Sequence, residues 1–120
     1  MKILWLSRHT MTDSQLSDLK RIYGDDINII QYTDTVSGYK DVLEAGSECD
    51  VLAVVLPPSI LADLVNPRNN TKPVIRAVAN RIETGNTITN PATGMEEKEF
   101  RFEHDHWERV LKIVVETERL

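Results

Sequence analysis

Six apolar residues in succession, Val51-Leu52-Ala53-Val54-Val55-Leu56, constrain this chain more than any other stretch. A half-exposed strand alternates apolar and polar positions. A run that is apolar at every position suits a strand covered on both faces, and that setting is typical of parallel sheets. Such a strand needs helices above and below it, so the run alone points to an α/β layer architecture. Val54 is expected in the middle of that central strand.

The flanking sequence agrees with this reading. Ile3 to Leu6 is a second continuous apolar run. Thr12 stands three residues before Gln15, a capping-box spacing. Leu16, Leu19, Ile22 and Tyr23 follow as a helical stripe, and Gly24 closes it. Ile27 to Tyr32 reads as a second strand. A short helix from about Gly38 to Ala45 stops at Gly46. Pro57-Pro58-Ser59 ends the central strand and opens a third helix, where Pro58 loses no needed hydrogen bond. Val74 to Val78 reads as a fourth strand.

Beyond that point the pattern weakens. Arg81 to Gly94 is rich in Thr, Asn, Gly and Pro and reads as loop or short hairpin. Phe100, Phe102 and His104 alternate with charged residues, as in a half-exposed strand. Val110 to Thr117 is heavy in β-branched residues and is read as a final strand. The expectation is one domain over residues 1–120. It is a small Rossmann-like three-layer sandwich with a parallel four-strand core and a C-terminal antiparallel strand pair.

Composition excludes several classes. The chain has 120 residues and a formal charge of −5, without the basic face of a duplex nucleic-acid binder. No run approaches the roughly 20 apolar residues of a membrane span. No secretory signal is recognisable, and the lone Cys49 reads as a packing residue, so a cytoplasmic setting is expected. No GxGxxG follows the first strand, and neither a P-loop nor a nucleophile elbow is present. No cofactor is implied.

Candidate chemistry gathers where the first strand ends, at Ser7-Arg8-His9-Thr10. Ligands of parallel α/β proteins usually bind at strand mouths. Arg8, His9, nearby hydroxyls and the free N–H groups of the following helix could hold a phosphate there. His9 could act as an acid or base near neutral pH. Ser59, at the mouth of the central strand, could reach the same crevice. In a regular strand His104 and His106 would point the same way, but with His9 they make a thin ligand set, and no metal is expected.

Two resemblances rest on these residues. Leu6-Ser-Arg-His-Thr-Met-Thr12 is similar to the opening of histidine phosphatases, whose first strand ends in an Arg-His-Gly-x-Thr motif. That likeness implies His9 as the phosphorylated nucleophile, with Arg8 and Thr12 beside it; Thr10 stands where that family has Gly. Over the whole chain, LSRHTMTDSQLSDLK and the order of elements resemble small CARF-like, Rossmann-type proteins of CRISPR systems and their phage counterparts. Those proteins bind cyclic oligonucleotides across a two-fold dimer, and some cleave them. The likeness implies that Ser7, Arg8, His9 and Thr10 contact phosphates and sugar. It also implies a homodimer made by the terminal hairpin or the exposed helix faces, and no metal.

The leading expectation is therefore a module that binds a nucleotide or cyclic oligonucleotide at the C-terminal edge of the sheet, with slow phosphodiester cleavage as an extension. The alternatives are a phosphate-transferring enzyme using His9, and a phage or mobile-element interaction protein without a small ligand.

Overall fold

A computed structural model describes residues 1–114 and 117–120. The element order is β1 (Lys2–Leu6), α1 (Asp13–Tyr23), β2 (Asn28–Tyr32), α2 (Tyr39–Ala45), β3 (Val51–Val54), α3 (Pro58–Val65), β4 (Val74–Thr89) and β5 (Glu96–Arg109). The fold is α/β, built on one mixed five-stranded sheet in the order β2-β1-β3-β4-β5. The pairings β1–β2, β1–β3 and β3–β4 are parallel, and β4–β5 is antiparallel.

Two apolar clusters show why the strands carry continuous apolar runs. Leu4, Leu6, Leu52 and Val54 face one way, onto Val42 of α2 and Leu61 and Leu64 of α3. Ile3, Trp5, Val51 and Ala53 face the other way, onto Leu19 of α1 and Trp107 of β5. Alternate residues of β1 and β3 thus feed opposite cores, and every position is apolar because both faces are covered. Val54 is buried but is the last residue of β3, not its middle.

Local signals set most of the boundaries. The Thr12–Gln15 capping box forms, and Gly24 caps α1 at φ 95°. Pro58 occupies the first turn of α3. Cys49 is buried, and that burial pushes its thiol pKa up.

The C-terminal third departs from expectation. The antiparallel pair is not two additional strands after a parallel core. β4 is itself one half of it, continuing through the stretch read as loop to Thr89, and β5 is the other half. Val110 to Val114 and Thr117 have no regular secondary structure; Val115 and Glu116 of the expected final strand lie outside the described residues. In place of strand pairing, Val110 N–H donates to the Val74 carbonyl at 2.8 Å, and Val110 and Ile113 pack on the first cluster. The β4–β5 ribbon extends past the sheet. The radius of gyration is accordingly 17.3 Å, against about 14 Å for a compact chain of this length. Among the described residues no helix is long and apolar enough to cross a membrane.

Candidate functional site

β1 delivers the Ser7–Thr10 turn to the C-terminal edge of the sheet, beside β3. This is the point where the strand order reverses: β2 lies on one side of β1 and β3 on the other. Crevices at such a switch point are the usual ligand sites of open α/β sheets.

The turn is held in shape from below. Trp5 Nε1 donates to the His9 carbonyl at 2.8 Å. Gln31 Nε2 donates to the carbonyls of Ser7 at 2.9 Å and His9 at 3.1 Å. His9 N–H donates to Ser7 Oγ at 3.1 Å. The Trp5 ring is itself locked edge-on against Trp107, with centroids 5.8 Å apart. The exposed side chains of Arg8 and His9 therefore stand on a backbone anchored in the core.

Two clefts flank this turn. The first, of about 380 Å³, lies between the turn and the β2–α2 connection; Arg8, Tyr32, Thr33, Asp34 and Thr35 line it. Arg8 Nη2 donates to Thr35 Oγ1 at 2.8 Å, which lays the guanidinium across the cleft. A guanidinium has five N–H donors, so this contact leaves capacity for an anion. Among the described residues Asp34, next to Thr35, is the one carboxylate on this lining, and Arg8 is its one guanidinium.

The second cleft, of about 430 Å³, lies on the other side of the turn. Its walls are the start of α1, at Thr12 and Gln15, and the stretch of β4 just past its pairing with β3, at Arg76, Ala77 and Ala79. Trp5, Val54 and Leu61 make it largely apolar. Arg76 is engaged there by Glu108, and the guanidinium holds that carboxyl below the usual range.

Ser7 and His9 line both clefts, as do Val55 and Leu56. Arg8 lines only the first and Thr10 only the second. The expected convergence of Arg8 with the start of α1 on one anion does not form, because the two open on opposite sides of the turn. The helix start is also partly satisfied already: Gln15 N–H donates to Thr12 Oγ1, and Thr12 N–H to Gln15 Oε1. Ser59 is exposed on α3 and lines neither cleft. Sequence reading missed the Tyr32–Thr35 wall. Its signal was a polar connection leaving the mouth of β2, next to that of β1.

His104 and His106 are turned apart. The register shifts between Val78↔His106 and Ala79↔His104, so Asp105 is the extra residue of a β-bulge. His104 swings to the α1 side and its Nε2 meets Asp18 Oδ2 at 2.9 Å, while its Nδ1 is buried without a partner among the described residues. His106 pairs instead with Asp105 on the surface, and that carboxylate raises the imidazole pKa. The His104 hydrogen bond holds the Asp18 carboxyl below its ordinary value. Among the described residues no three His, Cys, Asp or Glu side chains are grouped to hold a metal.

No family model, curated protein or solved structure matches the chain.

Proposed function

We propose that this protein binds a phosphorylated, nucleotide-type ligand at the C-terminal edge of its Rossmann-like sheet, with the phosphate at Arg8. The observation that carries the reading is the position of Arg8. An exposed guanidinium lies across an open cleft at the strand-order reversal, flanked by the hydroxyl-bearing Ser7, Tyr32, Thr33 and Thr35. Guanidinium and hydroxyl donors around an oxyanion are the ordinary means of phosphate recognition. A cyclic oligonucleotide is the larger ligand of the same chemistry. The apolar second cleft, reached across Ser7 and His9, offers room for a base.

His9 lines both clefts and would touch such a ligand at its sugar or phosphate. No second histidine lines either cleft, so the arrangement favours binding over phosphotransfer through His9. Slow cleavage of a bound phosphodiester fits the same site, since it needs positioning of a ribose hydroxyl more than a dedicated base.

A thermal-shift screen of nucleotides and cyclic oligonucleotides identifies the ligand, because a molecule bound only by the folded state raises Tm. Arg8→Ala should then weaken the best binder by about 1.5–3 kcal/mol, the worth of a hydrogen bond to a charged group, without lowering Tm of the free protein. His9→Ala should reduce affinity less and leave any slow cleavage partly intact. If calorimetry finds parent-like affinity in both variants, the strand-one mouth is not the site.

A further inference from the structure

The cleft at Arg8 holds one group that a phosphate alone does not explain. Asp34 stands in the connection leaving the mouth of β2, exposed and on the lining of that cleft. Arg8 donates to Thr35, the next residue, so the carboxylate lies near the guanidinium in one site. Among the described residues no ion pair includes Asp34. Asp41, in the first turn of α2, is by contrast engaged locally: it accepts from Ser37 N–H at 2.9 Å and from Ser37 Oγ at 2.8 Å. No such bond engages the Asp34 side chain among the described residues.

Its neighbours narrow what Asp34 can bind. The carboxylate repels a second phosphate, and the Arg8 guanidinium repels a metal or ammonium ion. One carboxylate is also too few for a metal, and among the described residues no three His, Cys, Asp or Glu side chains are grouped to hold one. A neutral hydrogen-bond donor meets both constraints. An ionised carboxylate only accepts, through two oxygens. The 2′-hydroxyl of a ribose, joined by the 3′-hydroxyl where that is free, offers it O–H donors, and hydrogen bonds to a charged acceptor are the strong ones. Ribose is also the group next to the phosphate in a nucleotide, so adjacent parts of one ligand would meet Arg8 and Asp34.

We propose that Asp34 accepts hydrogen bonds from the ribose hydroxyls of the ligand and so selects ribonucleotides over deoxyribonucleotides. This rests on the phosphate site proposed at Arg8. Asp34 is then a specificity-determining residue: a deoxy sugar leaves its carboxylate without a donor, and a 2′-phosphate meets it with like charge.

Titration calorimetry in buffer with EDTA tests this. The probes are the common ribonucleoside 5′-monophosphates, the 3′,5′-cyclic dinucleotide of each, the 2′-deoxy form of every one, and inorganic phosphate. The parent should bind its tightest ribose probe about tenfold or more above the deoxy form, the worth of one hydrogen bond to a charged group. Asp34→Ala should move the two sugars in opposite directions. The ribose probe weakens, while the deoxy form and inorganic phosphate bind as well as to the parent or better, because a repelling charge has gone. Asp34→Asn keeps an acceptor oxygen and should keep part of the preference. Arg8→Ala should weaken both sugars alike, and far-ultraviolet circular dichroism checks that every variant is folded. If no probe binds, or Arg8→Ala changes nothing, the phosphate site fails and the role of Asp34 with it. If probes bind through Arg8 with no preference between the sugars, the role of Asp34 alone is overturned. The same follows if Asp34→Ala weakens both sugars equally, or if the preference appears only when magnesium is added.

Discussion

Val74 and Ile75 at the start of β4 and Ile88 near its end are similar residues in one strand. The first two are 2–3% exposed, and Ile88 is 51% exposed. The difference lies in what surrounds the strand. At its start β4 pairs with β3 at Leu52 and Ala53 and with β5 at Arg109. At Ile88 its one strand partner among the described residues is Glu97 of β5, and Ile88 is half exposed. The base of the molecule is therefore stabilised by burial, and the projecting ribbon by cross-strand pairs such as Arg81 over Phe100. Two parts held by such different forces should also differ in local stability.

The sharpest test truncates one large side chain in each part. Leu52 is fully buried in β3, between Leu4 and the α2–α3 layer. Leu52→Ala should cost about 2–5 kcal/mol, the transfer loss plus the cavity. Phe102→Ala should change the unfolding free energy of the monomer by only about 0.5 kcal/mol, as at other exposed sites. Urea unfolding at dilute concentration compares them. Equal costs would mean that the ribbon shares the core's cooperativity, and the contrast would fail.

The same contrast explains which parts of the fold were readable in the sequence. β1, β3 and their helices write themselves as apolar runs, a capping box and a helix-starting proline, because burial and caps act on neighbouring residues. Arg81 to Thr89 buries almost nothing, so no apolar period announces a strand, and its Thr, Asn and Gly read as loop. The Asp105 bulge puts His104 and Trp107 on one side of β5, a three-residue spacing that imitates a helical stripe. At the site, the Ser7–Thr10 turn was legible because the end of a buried strand is local information. The split of Arg8 and Thr10 between two clefts was not, since it depends on where β2 and β4 bring their residues. Asp18 and His104 are 86 residues apart in the chain, and nothing near either one marks the other.

Glycines offer a second, smaller comparison. A Cβ on Gly46 would lie 2.5 Å from Leu52 Cδ2 and 3.2 Å from Leu4 Cδ2, so this residue does more than end α2: it lets the helix terminus sit on the sheet. Gly46→Ala should force two packed leucines to move, at about 1–3 kcal/mol. Gly85, in the ribbon, has open space around it and φ +82°. There the cost of Ala is backbone strain alone, about 1–2 kcal/mol, relieved by local rearrangement of the bulged turn. Pairing Gly46→Ala with Leu52→Ala distinguishes the causes. Shrinking Leu52 should remove part of the Gly46→Ala penalty, whereas Gly85→Ala should add independently to Leu52→Ala.

A pH-dependent effect lies at the joint between the two parts, where Asp18 of α1 meets His104 of β5. The hydrogen bond with His104 is the largest cause lowering the Asp18 pKa, and Arg21, also bonded to Asp18, adds to it. Because the folded carboxyl titrates below its unfolded value of roughly 3.9, the ionised form is favoured by folding. That stabilisation is present above the unfolded pKa and is lost as pH falls through the lower folded value. Asp18→Asn keeps the shape and an acceptor oxygen but removes the charge. It should lower stability at neutral pH by roughly 1 kcal/mol, the difference between a charge-assisted and a neutral hydrogen bond. In acid the gap between parent and variant should close, since the parent's carboxyl is then protonated too. Urea unfolding across the acid range measures that gap. A gap that persists unchanged below the folded pKa would show that the shape of the Asp18 side chain, and not its charge, fastens the ribbon to the base.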